Sequence, residues 1–291
     1  MTSLCAPDLD LSCFGCCPPI RPSHYDPLDF VGSLRREFAE NRAAFLRSPL
    51  RVRPIVGYHC WALGFLDPKG GTAGCLLHPA RNQGRDLRGL IDYGDKCRRE
   101  SCVAAREFEL LPPEGREFWL PLVRGLNPFY YSSRRANRLF HIMPWGAGLL
   151  ERLRGHAGAR GWSCTELIDA FPFLVCQDWR PRAHRHLFGL LLEMLDERDD
   201  AGDVMEQRAS RVLQCVAELG VVRDLRTPDS GDEEIWTHQG SEPVEFLDFV
   251  RLELGIPRTG GRRLQRARKT VETLIREMSS FETPREKREK R

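Results

Sequence analysis

No run of apolar residues in this chain approaches the roughly 18–20 needed to cross a bilayer. The opening residues, MTSLCAPDLDLS, carry neither the basic n-region nor the apolar h-region of a secretory signal. Both absences set the expectation of a cytoplasmic protein without membrane engagement. Enzyme fingerprints are missing as well. Lys69-Gly-Gly-Thr72 lacks the upstream glycine of a phosphate-binding loop, and no G-x-G-x-x-G, G-x-S-x-G or C-x3-C-x2-C occurs. Without such a motif the sequence assigns no reaction, and whether the chain is an enzyme stays open. A one-sided charge is also lacking. The net charge is only +3 over 291 residues, which gives no global pull toward nucleic acid or anionic lipid. The distribution is uneven, however. From Arg258 to Arg291 twelve Lys and Arg face five Glu, so the rest of the chain is slightly acidic.

What the chain has in abundance is cysteine. Of eleven cysteines, seven form a staggered array: Cys13, Cys16, Cys17, Cys60, Cys75, Cys97 and Cys102. Cytoplasmic thiols are kept reduced, and an odd total cannot complete a disulfide framework, so clustered cysteines read as ligands or redox groups. Thiolates are soft donors that select zinc, copper(I) or iron–sulfur clusters. Structural zinc takes four Cys or His ligands, and a [4Fe–4S] cluster takes four thiolates. Cys13-x-x-Cys16 has the spacing with which one turn offers two thiolates to one metal. Cys17 follows directly and points elsewhere if the chain is extended. Cys97-x4-Cys102 offers another close pair. His78, three residues after Cys75, brings the candidate ligands to the number that two four-coordinate sites require. The partition between sites is not fixed by the sequence. Taken one at a time, a cysteine can equally be a buried small hydrophobe. Cys164, Cys176 and Cys215 lie outside the array. Cys215 falls near the apolar stripe of its helix and reads as core, and His184-Arg-His186 reads as solvated or capping histidines.

The knuckle Cys13-Phe-Gly-Cys16-Cys17, followed by Cys60-Trp-Ala-Leu, Gly74-Cys75-Leu-Leu-His78-Pro79 and Cys97-Arg98 in that order, resembles the zinc- or iron-chelating proteins of the CxxCC type, often called YkgJ-like. The resemblance covers about residues 13–102. It differs in carrying His78-Pro79 where that family has Tyr followed by Arg-Pro, and Cys97-Arg98 comes later than in that family. The resemblance implies a metal- or cluster-binding domain and supplies no reaction.

The expected fold class is α+β: a small cysteine-rich metal-bound region with a short hairpin, followed by a mostly α-helical domain. The expected organisation is a flexible leader over 1–12, a cysteine-rich metal domain over 13–105, a mostly helical domain with one hairpin over 106–256, and a basic helix and tail over 257–291. Asp26-Pro27 reads as the opening of a helix to about Leu46, with Leu28, Val31, Leu34, Phe38, Phe45 and Leu46 as its stripe. Apolar runs on either side of Asp67-Pro-Lys-Gly-Gly71 predict a hairpin that draws Cys60 and Cys75 together. Further on, Ser163-x-x-Glu166 is a capping box, and helices are expected over 184–197, from Asp203 to Gly220, over 241–254 and over 262–281. Val221–Leu225 and Ile235–His238 read as a second hairpin. Helix, helix and hairpin together suggest a winged helix, but Asp229, Asp232, Glu233 and Glu234 in the wing would repel phosphate. That places a protein-interaction or structural module there. Phe129-Tyr-Tyr-Ser-Ser-Arg134-Arg135 mixes rings and arginines as single-strand binders do, and equally as amphipathic helix starts do.

The functional expectation is a cytoplasmic protein holding zinc or an iron–sulfur cluster, in a structural or metal-delivery role. An iron–sulfur redox enzyme or maturation factor is the first alternative. A nucleic-acid-binding regulator using the basic C-terminus is the second. A protein partner is left open.

Overall fold

The computed structural model describes residues 3–7, 11–15, 25–48, 51–53, 60–91, 97, 102–194, 201–228 and 230–280. The fold is α+β and mostly helical, with two small two-stranded sheets. It divides into two compact units, Met1–Ala147 and Gly148–Arg291. Among the described residues no helix is long and apolar enough to cross a membrane.

In the first unit, helix α1 (Phe30–Arg47) lies on an antiparallel hairpin of β1 (Leu63–Phe65) and β2 (Ala73–Cys75). The helix starts later than Asp26-Pro27 suggests. Asp26 instead closes a turn, its Oδ1 accepting from Leu28 N at 2.9 Å, and Asp29 is the N-cap, accepting from Gly32 N at 3.1 Å. The apolar stripe is accordingly shorter than expected. Leu34 and Phe38, one turn apart, are buried, whereas Leu28, Val31 and Leu46 are exposed. Asn41 and Arg42 then bind the hairpin backbone directly: Asn41 Nδ2 donates to Leu63 O (2.9 Å) and Arg42 Nη1 to Phe65 O (3.2 Å). Gly64 makes this approach possible, since a Cβ there would stand 3.1 Å from Phe38 O and 3.2 Å from Arg42 N. The core beneath contains Leu34, Phe38, Cys60, Ala62, Leu63, Phe65, Ala73, Leu77 and Ile91.

The described residues of the stretch read as a flexible leader are instead packed. Leu4, Ala6 and Leu11 are buried, Cys13 N donates to Cys5 O at 3.0 Å, and Phe14 stacks edge-on against Phe38 in the hairpin core, at 5.4 Å between centroids. Apolar side chains at positions 4, 6 and 11 account for this. The rest of the unit is formed by α2 (Val103–Leu110), α3 (Pro113–Trp119), α4 (Pro128–Ser132) and α5 (Leu139–Ile142), packed around Phe108, Trp119, Tyr131 and Trp145. Proline opens α3 and α4 at the position where its missing N–H is not needed. Ser133 Oγ accepts from Ala136 N, so it tightens a turn, and the regular helix begins only at Leu139.

The second unit runs through α6 (Ala147–Arg160), α7 (Cys164–Ala170), α8 (Pro181–Glu193), α9 (Ala201–Glu218) and α10 (Val221–Arg226). It continues with β3 (Glu234–Trp236), α11 (Val244–Asp248), a π-type turn over Phe249–Glu253, β4 (Arg258–Gly260) and α12 (Gly261–Ser280). Helix α8 is the hub and packs on α9, α11, the π-type turn and α12. The capping box at α7 is present on both sides, Ser163 Oγ accepting from Glu166 N and Glu166 Oε2 accepting from Ser163 N. Ser163→Ala should therefore cost the second unit about 1 kcal/mol, read as faster amide exchange through α7.

The second hairpin differs from expectation. Val221–Arg226 is helical, starting directly after Gly220 in the left-handed region (φ 71°). β3 pairs antiparallel with β4, so Ile235 faces Thr259. The wing acid Asp232 turns inward rather than to solvent. Its carboxylate accepts from Arg262 N and Arg263 N at the start of α12 and pairs with the buried Arg263 guanidinium at 3.4 Å. Burial by itself would raise the Asp232 pKa, but these N–H donors and Arg263 hold it below the ordinary carboxylate value. Arg268, further along the same basic helix, binds Glu242 and Glu272.

Candidate metal centre

The structure sorts the described cysteines of the first unit into two groups. Cys60 stands at the entry to β1, Cys75 ends β2, and Cys97 packs against the same core. The β1–β2 register places Leu63 opposite Cys75, and this brings the loop carrying Cys60 alongside, as the hairpin reading expected. Burial pushes the Cys60 thiol up to about 11. The backbone N–H groups of Ala62 and Leu63 pull against that rise, and Cys97 adds to it. Cys75 is pushed up to about 12, again mainly by burial. Leu77 N–H and the Arg88 charge oppose the shift, while Cys60 and Cys97 add to it. The three thiols therefore lie within electrostatic range of one another, and the Arg88 guanidinium bears on Cys75 and Cys97. Arg88 is oriented by Asp86 (2.8 Å) and reaches Cys97 O (3.5 Å).

The second group is Cys5, Cys13 and Cys102. Cys102 is the N-cap of α2, and its Sγ accepts from Ala105 N at 3.3 Å. Cys13 Sγ accepts from Gly15 N at 3.3 Å. All three lie within electrostatic range of Tyr131, whose buried hydroxyl donates to Leu4 O at 2.7 Å. Burial raises the Tyr131 pKa, and Cys13, Cys5 and Cys102 raise it further. Cys97 and Cys102, close in sequence, thus fall in different groups. Cys5 is the member that sequence reasoning missed. It lies inside the stretch read as leader, and its signal is the pair of buried neighbours Leu4 and Ala6.

His78 does not join either group through the contacts it makes. Its Nδ1 accepts from Ala80 N at 3.2 Å and caps a short turn over Pro79–Arg81. Burial chiefly, with Arg88 and Arg81, lowers its pKa, while Asp86 opposes the shift, so the ring is neutral at physiological pH. Cys16 and Cys17 lie outside the described residues. Among the described residues no three His, Cys, Asp or Glu side chains are placed to hold a metal ion as they stand. The donor chemistry of both groups nonetheless suits a soft cation.

Outside the array, Cys164 is buried at the start of α7 and its pKa is raised by that burial. Cys176 Sγ donates to Asp178 at 3.5 Å. The histidines of α8 are buried rather than solvated. His184 Nδ1 does take a capping role, accepting from Arg180 N at 2.9 Å, and this fixes the tautomer whose Nε2–H donates to Glu253 at 2.8 Å. The ring edges an open concavity of about 420 Å³ with Trp179, Glu206 and Glu253. In the aromatic–arginine stretch the rings do not form a common platform: Tyr131 is buried, Phe129 packs on the hairpin core and Tyr130 is exposed.

No family profile matches the chain, and no curated protein or solved structure matches it either.

Proposed function

We propose that this protein binds zinc or an iron–sulfur cluster through cysteines of its first unit, in a structural or metal-delivery role, with Cys60, Cys75 and Cys97 among the ligands. The observation that carries this reading is the convergence of those three thiols from three separate segments onto a shared core, within electrostatic range of one another. Backbone N–H groups two residues downstream bear on both Cys60 and Cys75. Such donors favour the charged over the neutral sulfur, and hydrogen bonds to thiolates tune the metal they hold. Left without a cation, two buried sulfurs with pKa values of about 11 and 12 are neutral thiols at pH 7. A metal must therefore displace their protons, and its affinity rises with pH.

Protein purified without oxygen should carry at least one equivalent of zinc or iron per chain by elemental analysis. The double substitution Cys60→Ser, Cys75→Ser should lower the metal content by one equivalent, and lowering the pH should release metal. Colour separates the two chemistries, since a cluster is brown and zinc is colourless. A folded wild-type chain without metal, with all its thiols open to titration, would overturn the proposal.

A further inference from the structure

Resting on the metal-binding reading, we propose that Cys5, Cys13 and Cys102 form a second and separate site for a thiophilic cation of the Zn²⁺ class. The charge that bears on Cys60 is that of Cys97, and those that bear on Cys75 are Cys60, Cys97 and Arg88. Those that bear on Tyr131 are Cys13, Cys5 and Cys102. The two groups therefore have different surroundings. Phe14 stands beside Cys13 in sequence and places its ring against Phe38 and Phe129, in the core that holds Cys60.

The outer group is built by independent parts of the chain. Cys5 and Cys13 are tied by Cys13 N to Cys5 O (3.0 Å) and by Ser12 Oγ to Cys5 O (3.1 Å). Phe14 N donates to Ser132 Oγ (3.1 Å), which seats the loop over α4. Gly15 completes the fit. A Cβ there would stand 2.5 Å from Ser132 O, so only glycine lets its N–H turn back to Cys13 Sγ. Cys102 is contributed by the N-cap of α2, where the helix end favours negative charge on the sulfur. Two of the three sulfurs thus face backbone donors that stabilise a thiolate.

The three cysteines share a pocket with Arg134. Its volume is about 10 Å³, on the scale of a single water-sized site. A space this small favours a single ion over a bulky organic ligand. Three thiolates around a divalent cation leave one net negative charge, and Arg134 supplies the counter-charge. The sulfurs are not at coordination spacing as they stand, so the ion itself closes the site, drawing each sulfur to ~2.3 Å.

The test is a Co²⁺ titration of the full-length, metal-stripped protein under argon, followed by thiolate-to-cobalt charge-transfer absorption. Wild type should reach two equivalents. Cys5→Ser and Cys102→Ser should each stop at one, and Cys60→Ser should lose the other. Serine at position 102 keeps an N-cap acceptor for α2, so loss of metal in that variant is not loss of the helix. An endpoint unchanged in Cys5→Ser and Cys102→Ser would overturn the inference. So would loss of both ions on substitution in either group. One equivalent that depends on Cys60 and Cys75 alone would leave the metal-binding proposal standing and sink this one. A wild-type chain that takes up no Co²⁺ would sink both.

Discussion

Asp232→Ala should destabilise the second unit by about 3 kcal/mol or more, because it strands a buried cation. The Arg263 and Asp232 side chains are only 2% and 6% exposed. The guanidinium has other acceptors, Thr227 O at 2.7 Å and Leu225 O at 3.4 Å, but these are neutral. The nearest other carboxylate, Glu234, is half-exposed and stands 3.6 Å away. The same substitution removes the acceptor that Arg262 N and Arg263 N share at the start of α12. Removing both partners, as Asp232→Ala with Arg263→Met, should restore much of the loss, since apolar replacement of a buried pair is often neutral. Denaturant unfolding, with amide exchange in α12 as the local probe, measures both variants. A cost below about 1 kcal/mol for the single change would mean that Arg263 is adequately served by backbone carbonyls.

A second large effect should follow pH. His186 lies on α8 with its ring 5.3 Å from Phe246, and its Nε2 finds no partner among the described residues. Burial lowers its pKa to about 4. Glu272 and Glu245 oppose the shift weakly, and Arg268 adds to it. The unfolded chain takes up a proton near pH 6.5, whereas the folded chain resists until about 4. The contribution of this site is therefore full above pH 6.5 and is lost as pH falls toward 4. At 1.36 kcal/mol per unit the loss comes to about 3 kcal/mol. His184 acts in the same direction, its pKa being lowered by burial against the opposing effect of Glu253. The His186 share is thus the difference between wild type and His186→Leu. Stability of both proteins measured at pH 7 and pH 4.5 should give a clearly smaller drop for the variant. Equal drops would show that His186 is protonated within the fold.

Both effects arise where sequence reading was least informed. Local signals were legible: the Ser163–Glu166 capping box, the Asp67–Gly71 turn with its flanking strands, the stop at Gly220 and the basic helix α12 each depend on neighbours a few residues away. Val221-Val-Arg-Asp-Leu225 looked like a strand because β-branched and apolar residues crowd it. Its fate was decided by β4, more than thirty positions downstream, which takes the place beside β3. Asp232 looked like a solvated wing acid because nothing near it in sequence shows that Arg263 is buried. Of the two α8 histidines read as solvated or capping, His184 does cap, but both are buried, and the neighbouring Arg182 and Arg185 are drawn to Asp248 at 3.0–3.1 Å.

The cysteines show the same division. Their abundance, and the meeting of Cys60 with Cys75, could be read from the hairpin. Which thiols share surroundings could not, since it depends on Tyr131 and on a leader segment whose buried leucines were too sparse to register as an element. Spacing alone paired Cys97 with Cys102. Packing separates them, because Cys102 is committed to the first turn of α2 and Cys97 to the hairpin core.

The anchoring of the amino-terminal segment also sets an order of events during synthesis. Leu4 O is held by Tyr131, 127 positions later, and Phe14 N by Ser132, 118 positions later. Neither bond can form until α4 has left the ribosome. Throughout that interval Cys5 and Cys13 are nascent-chain thiols without their lid, open to oxidants and to whatever ions the cell offers. A late-emerging part of the first unit, α4, is therefore what anchors the segment carrying Cys5 and Cys13, so a pause in translation before residue 132 prolongs their exposure.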